Sequence, residues 1–312
     1  MTPKFIMLVG LPGSGKSTLG EQIAEEINAN IHSSDSIREE LSGDINNQNI
    51  NQDVFNLLHK RIKEDLIKGN NCIYDATNIS YKRRKAFLDE LHNIRCNKIC
   101  IVVATPYEIC LKQNEKRERK VPQDVIKKMY MNFDIPYYYE GWDIITLKYI
   151  NPKYETLYKD YNKFIEDTYL FDQQNKYHNN TLGEHCFKTQ QYIDKYFESK
   201  SNLTFNKDVL HIAASLHDCG KPFCKTFKNC KNEIDTNAHY YNHEHVGSYN
   251  CLFYDLNENV LANKLDIAVL IRWHMQMHYI KKQPQTEEKY RKLLSKIYND
   301  LLFLNEADTL GH

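Results

Sequence analysis

Hydrophobic positions divide the chain into two halves with different periods. Phe5 to Val9 is a short apolar run ended by Gly10, which predicts a buried strand. Leu19, Ile23 and Ile27 recur at helical spacing, so a helix follows. Ile73 and Tyr74 lead into Asp75, and Ile99 to Ala104 is a second buried apolar run, with polar helical stretches between. Such alternation argues for a parallel sheet with helices on both faces. After Ile150 the pattern changes. Asn151–Pro152 interrupts the chain, and the remainder reads mostly as helix. Its apolar stripes run 182/185/189/193, 210/213/214/217, 267/270/271/274 and 301/304/308. The expected organisation is an α/β domain over 1–150 and an all-α domain over 151–312 that opens with a connecting helix.

Composition narrows the function classes. The 312 residues are 41% hydrophobic and 26% charged, enough for two packed cores and not a disordered chain. Lys+Arg and Asp+Glu both number 41, which excludes a uniformly basic nucleic-acid coat but not a local basic patch. No apolar run approaches the roughly 18 residues of a membrane span. Nine cysteines without a CxxC pair suit free thiols in a reducing cytoplasm, and the N-terminus is too short before its first motif for a secretory leader. Ten of the thirteen histidines lie between His178 and His312, which makes the second half the candidate for metal.

Gly10-Leu11-Pro12-Gly13-Ser14-Gly15-Lys16-Ser17 fits G-x-x-x-x-G-K-[ST] between a strand and a helix. Glycines let backbone N–H groups turn around phosphate oxygens, Lys16 reaches the β/γ-phosphates, and the Ser17 hydroxyl ligates Mg²⁺. Gly10, Pro12, Gly13, Ser14, Gly15, Lys16, Ser17 and Thr18 are thus candidate nucleotide contacts, with ATP and Mg²⁺ the expected cofactors. The first half carries no guanine-reading NKxD. Ser34-Asp35-Ser36-Ile37-Arg38 falls where a second strand should end. There Asp35 can take a proton from an attacking hydroxyl, and Arg38, a turn later, can hold a substrate phosphate. A helix cap and a surface ion pair are the plainer alternatives. Asp75 ends a buried strand, where it can order Mg²⁺ water or pair with Arg38. The cationic run Gln113–Lys120, ended by Val121-Pro122, is either a solvated face or a lid whose arginine neutralises the transferred phosphoryl group.

In that order and spacing, GLPGSGKST, SDSIREEL, YDATN and NEKRERKVP resemble the phage-type polynucleotide 5′-kinase domain over about residues 1–150. The resemblance implies Asp35 as general base on a 5′-hydroxyl and Arg38 on the adjacent phosphate. It also implies Asp75 as support for Arg38, and Arg117 as the lid arginine on ATP, with Arg119 a close rival. Small-metabolite kinases of related fold also place an Asp at the position of Asp35.

In the second half, Leu216-His217-Asp218-Cys219-Gly220-Lys221-Pro222 is the central feature. His185, His217, His274 and Asp308 all fall on apolar stripes and so face inward. A buried carboxylate needs a partner, and buried imidazoles converging from several helices make a mixed N/O site for a transition metal. His243-Glu244-His245 adds one further ligand, either histidine. His278 shares a face with His274, while His211, His239 and His312 read as ordinary polar residues.

FDQ, TLGEH, LHDCGKP, NHEHVG, WHM and EADTLG resemble the motifs of the HD phosphohydrolase superfamily over about 165–312. The resemblance implies His185, His217, Asp218 and Asp308 as primary ligands. His243 and His274 would extend the site to two metals bridged by Asp218. Lys221 would contact the scissile phosphate, His178 would assist, and the chemistry would be metal-assisted phosphoester hydrolysis. The metal is left open among Mn, Ni, Co, Fe and Zn.

Together the halves are similar to bifunctional kinase–HD end-healing enzymes. They imply phosphorylation of a 5′-hydroxyl and hydrolysis of a 2′,3′-cyclic or terminal 3′ phosphate on RNA, with DNA left open. No KxDG ligase motif is present, so a separate RNA ligase would seal the ends. Lys82-Arg83-Arg84-Lys85 and Lys112–Lys120 are the candidate basic groove. The alternative is a nucleoside or small-metabolite kinase fused to an HD nucleotidase. A third reading makes the second half a binding module only.

Overall fold

A computed structural model describes residues 2–151, 160–175, 179–256 and 264–311. The chain forms two compact units, Met1–Met129 with Pro136–Asn151, and Tyr130–Ile135 with Pro152–His312.

The first unit is a five-stranded parallel sheet of order β2-β3-β1-β4-β5. Its strands are β1 (Lys4–Val9), β2 (Ala29–Ser33), β3 (Asn71–Asp75), β4 (Asn97–Ala104) and β5 (Ile144–Tyr149). The expected parallel sheet is therefore present. β5 is half exposed and broken by Thr146 and Lys148, so it carries no continuous apolar run to announce it. One face of β1 buries Ile6 and Leu8 with Ile73 against Ile23, Ala24 and Ile27 of α1 (Lys16–Ile27). The other face buries Phe5, whose ring lies 5.5 Å from Phe87 and 6.3 Å from Trp142. Alternate β1 residues thus serve opposite layers, as the period of a strand requires.

Beside that aromatic layer, Arg84 and Glu140 form an ion pair with both side chains 0% exposed, 2.7 Å apart. Trp142 Nε1 also donates to Glu140, and Arg84 donates to the Asn78 carbonyl at 2.7 Å. The Asn78 amide in turn donates to the Leu8 carbonyl, so the pair fixes the loop after β3 beside the end of β1. This corrects the expectation that Arg84 lines a basic groove. Lys82 and Arg83 are the exposed members of that run. Removing one partner of a buried pair leaves an uncompensated charge, so Arg84→Met is expected to cost about 3–5 kcal/mol. Replacing both Arg84 and Glu140 with Met should recover part of the loss. Urea midpoints for the two variants measure this, and an unchanged midpoint for Arg84→Met would refute it.

The second unit is mainly helical. Helices Leu182–Tyr196, Lys207–Leu216, Lys264–Lys282 and Tyr298–Leu310 carry the four stripes. Leu182, Ile193, Leu210, Ala213, Ile267, Leu270, Leu301 and Leu304 are all buried. A two-stranded antiparallel hairpin, β6 (Thr226–Lys228) and β7 (Ile234–His239), interrupts the helices. Its strands are short and mostly exposed, so no apolar alternation marks them in the sequence. Tyr130–Ile135 precedes residue 150 but packs with this unit. The Tyr130 hydroxyl donates to Asn250 at 2.6 Å, and Phe133 lies 4.7 Å from the Tyr249 ring. Asn151–Pro152 stands at the edge of the described residues. Among those residues, no helix is long and apolar enough to cross a membrane.

Candidate functional site

The phosphate loop joins β1 to α1. Gly13 has φ +78, and a Cβ there would collide with the Cys110 carbonyl, so only glycine fits. Gly15, also left-handed at φ 90, caps α1 and leaves its first N–H groups free to face an anion. The loop is braced by Gly10 N–H to the Thr77 carbonyl at 3.1 Å and by the Thr105 hydroxyl to the Ser14 carbonyl at 2.9 Å. Lys16 is buried, and its ammonium folds over the loop to donate to the Leu11 carbonyl at 2.8 Å. Burial lowers its pKa, against an opposing pull from Asp75, and Arg117 lowers it further by like-charge repulsion. Exposed Arg117 therefore stands within electrostatic reach of Lys16. Pro12 and Ser14 are buried in the loop, while Ser17 and Thr18 open to solvent.

Ser17 donates to Asp75 Oδ2 at 2.8 Å. No described hydrogen bond joins Asp75 to Arg38, which corrects the expectation that Asp75 supports that arginine. β3 pairs with β1 on one side and with β2 on the other, and at its end the Asp75 carboxylate turns to Ser17 at the start of α1. A hydroxyl and a carboxylate paired there can hold Mg²⁺.

Asp35 lies in the first turn of α2 (Ser34–Ser42), whose cap is Ser33 rather than Asp35. That frees the Asp35 carboxylate. Arg38, 4% exposed, donates to Asp35 Oδ1 at 3.0 Å and to Asn51 Oδ1 at 2.7 Å. Its Nε is buried without a partner among the described residues. Arg119 pairs with the other oxygen of Asp35 and donates to Asn46 at 3.1 Å. The two candidate lid arginines thus differ: Arg119 pairs with Asp35, and Arg117 is exposed. The run that bears them is closed at its base by Asn114, which donates to the Val121 carbonyl and accepts from its N–H. Asn51 was not legible, since it ends an asparagine-rich stretch that carries no pattern.

In the second unit the inward stripes bring six side chains together. His185 Nε2 lies 3.0 Å from His217 Nε2, 3.1 Å from Asp308 Oδ1 and 3.4 Å from Asp218 Oδ2. On the other side of Asp218, Oδ1 lies 3.0 Å from His243 Nε2 and 3.7 Å from His274 Nε2. One carboxylate therefore faces two histidine pairs with its two oxygens. His185, His217 and Asp218 form one group able to hold an ion, and Asp218, His243 and His274 form another. Gly220 permits this approach, because a Cβ there would collide with the His243 carbonyl.

The donor chemistry fits metal. Nδ1 of His217, His243 and His274 each lies 2.7 Å from the backbone carbonyl three residues earlier, and His185 Nδ1 lies 3.3 Å from the Gly311 carbonyl. A carbonyl only accepts, so Nδ1 carries the proton and Nε2 presents a lone pair. Opposed lone pairs at these distances repel unless a cation lies between them, and this is how metal-ligating histidines are oriented. Burial would lower the His217 pKa, but Asp218 and Asp308 prevail and hold it well above its usual value. Burial likewise opposes ionisation of Asp218, yet Lys221 and His217 keep it well below the carboxylate range. The two buried carboxylates thus draw positive charge, a proton or a metal ion, to the histidine Nε2 atoms.

Lys221, buried, stands 2.6 Å from Asp218 Oδ2 and donates to Gln173 Oε1 at 2.8 Å. Gln173 sits within the FDQ string, but no spacing rule linked it to Lys221. Of the His-Glu-His histidines, His243 joins the cluster. His245 turns to the Phe133 carbonyl and Asp134. His278 lies 2.6 Å from Asp308 Oδ2 and orients that carboxylate. His211 pairs with Asp194, and His239 with Asp235. His178 and His312 lie outside the described residues. The letters Asn263-Lys264-Leu265-Asp266 match the guanine-reading pattern but belong to the second unit. There Lys264 is buried and donates to the Leu252 carbonyl.

Comparison with known proteins matches two separate parts of the chain to two different families. A family model described as an AAA domain matches residues 5–136, and one described as an HD domain matches residues 182–310. L-seryl-tRNA(Sec) kinase of Methanococcus maripaludis is 30% identical over 145 residues, 45% of this chain and 56% of that protein. Protein kti12 of Schizosaccharomyces pombe is 24% identical over 185 residues, 55% of this chain and 63% of that protein. The chain thus spans less than two thirds of either curated relative. Among solved structures, a chain of the Pnkp1/Rnl/Hen1 RNA repair complex is 25% identical, with 41% of this chain and 43% of that chain covered and a TM-score of 0.36. The protein joins a P-loop kinase domain to an HD domain.

Proposed function

We propose that this protein heals broken polynucleotide ends, phosphorylating a 5′-hydroxyl with ATP and hydrolysing a 2′,3′-cyclic or terminal phosphate at the 3′ end. The observation that carries the reading is the pairing of Asp35 with buried Arg38, within electrostatic reach of Lys16. A fixed, buried cation beside the general base suits an acceptor whose hydroxyl neighbours a phosphate. The terminal nucleotide of a strand has that phosphate, and a free nucleoside lacks it. A relative named as a kinase of L-seryl-tRNA(Sec) is consistent with an acceptor carried on RNA.

In the kinase reaction the loop N–H groups and Lys16 bind the ATP phosphates, while Ser17 and Asp75 hold Mg²⁺. Asp35 accepts the hydroxyl proton as the oxygen attacks the γ-phosphorus, and the bond from that phosphorus to the β–γ bridging oxygen breaks to release ADP. Arg38 positions the strand through the neighbouring phosphate, and Arg117 neutralises charge on the transferred group. Asp35 must first leave Arg119 to meet its substrate.

In the second unit His185, His217, Asp218 and Asp308 would hold one transition-metal ion, and His243 and His274, with Asp218 shared, a second. When bound, such ions supply Lewis acidity and activate water. Lys221 binds the phosphate oxygens, and Gln173 holds Lys221 in place. Sealing falls to a separate RNA ligase. The cysteines are free, which suits a reducing cytoplasm.

The test is one short RNA with a 5′-hydroxyl and a 2′,3′-cyclic phosphate, incubated with ATP, Mg²⁺ and a panel of transition metals. Gain of a 5′ phosphate together with opening of the cyclic end is the expected result. Unchanged RNA ends, with phosphorylation or hydrolysis of free nucleosides and nucleotides, would replace it with the nucleotide-pool enzyme.

A further inference from the structure

Between Lys221 and His243 the chain leaves the metal cluster as the β6–β7 hairpin and then returns to it. Side chains along this excursion touch in succession. The Lys221 ammonium stands 5.5 Å from the Tyr240 ring centroid, and that ring lies 6.4 Å from Phe171. The Lys225 ammonium stands 4.8 Å from the Phe171 centroid and 5.9 Å from Phe227. Lys225 is anchored by its bond to the Asp172 carbonyl at 2.8 Å. Phe227 is 41% exposed and has no ring partner among the described residues. Lys228 and Lys231 are exposed further along the hairpin. A line of ammonium groups and aromatic rings therefore runs from Asp218 out to the surface, with the Tyr240 and Phe171 rings adjacent in it.

This line of lysines and rings ends on Phe227, which meets the Lys225 ammonium and, among the described residues, no other ring, and which stays 41% exposed. The line matches what a single-stranded nucleic acid offers, flat bases joined by phosphates. We infer that the hairpin is a platform for the nucleotides preceding a 3′-terminal phosphate. A base stacks on Phe227, Lys225 and Lys228 meet backbone phosphates, and the terminal phosphate reaches Lys221. Stacking is indifferent to base identity, so the platform favours strands over mononucleotides without reading sequence. This rests on the phosphoesterase reading of the cluster.

The test uses the full chain and a ten-nucleotide single-stranded RNA with a 5′ fluorophore and a 3′ phosphate. Binding is read by anisotropy in EDTA, with a mononucleoside 3′-phosphate as competitor. The wild type should bind the oligonucleotide about tenfold or more tighter than the mononucleotide, and Phe227→Ala should lose about that factor. Phe227→Trp should keep it. Ile234→Ala, 89% exposed on the same hairpin but outside the line of rings, should change nothing. Equal binding by wild type and Phe227→Ala, or no preference for the strand, overturns the platform. Hydrolysis of the same oligonucleotide and mononucleotide prepared with 2′,3′-cyclic phosphate ends, with transition metals added, separates the two failures. If the mononucleotide is hydrolysed but Phe227→Ala leaves turnover of the oligonucleotide untouched, only the platform falls. If the wild type hydrolyses neither, the phosphoesterase reading falls with it.

Discussion

Replacing His217 or Asp218 with alanine is expected to abolish 3′-end hydrolysis, by roughly 10³-fold or more, while the 5′-kinase activity stays at the wild-type level. His217 Nε2 and the two Asp218 oxygens sit at the centre of the cluster, within 3.7 Å of each of the other histidine ligands. Losing Asp218 removes the one carboxylate that faces both histidine pairs, so bound metal measured by mass spectrometry should fall with activity. A chelator should reproduce the loss in the wild type, and re-added transition metal should reverse it. His245→Ala is the matched control, because His245 points to Phe133 and Asp134 instead and should leave metal content intact. Hydrolysis that survives in Asp218→Ala would remove the cluster from the chemistry and favour a binding-only role for the second half.

The second large effect belongs to Asp35. Asp35→Ala should lower kcat for phosphoryl transfer by about 10²–10⁴-fold, the usual worth of a positioned general base. ATP affinity should survive, because the loop backbone, Lys16 and Ser17 are fixed by Gly13, Thr77, Thr105 and Asp75. Asp35 also satisfies Arg38 and Arg119, so Asp35→Asn, which keeps the shape and one acceptor oxygen, guards against a mere packing defect. Fluorescent-nucleotide titration beside single-turnover kinetics resolves the two. An equal fall in ATP affinity for both variants would make Asp35 structural.

Much of this site can be read from residue order, and the legible part has a common cause. A phosphate loop is local, since Gly13 and Gly15 supply their own left-handed turns and Lys16 begins the next helix. The inward cluster is legible because helical periodicity places His185, His217, His274 and Asp308 on the same stripes as Leu182, Leu210, Leu270 and Leu304, all buried. Polar residues on an apolar stripe must meet partners inside.

Contacts set by the meeting of distant elements are another matter. Asp75 pairs with Ser17 and not with Arg38 although β3 lies between β1 and β2, so neither local spacing nor strand order names its partner. His243 and His245 are alike in sequence, and only the fold turns one to Asp218 and the other to Phe133 and Asp134. Arg117 and Arg119 are two residues apart, yet only Arg119 pairs with Asp35, while Arg117 stays exposed. Arg84 reads as part of a basic run until Glu140, 56 residues away, buries it. Chain order alone carried the two domain types, the phosphate loop and the inward ligand set, since these follow from periodicity and short-range backbone geometry. Packing between remote segments chose the partners, because a charge or a lone pair inside a protein is satisfied by whatever the fold brings within about 3 Å.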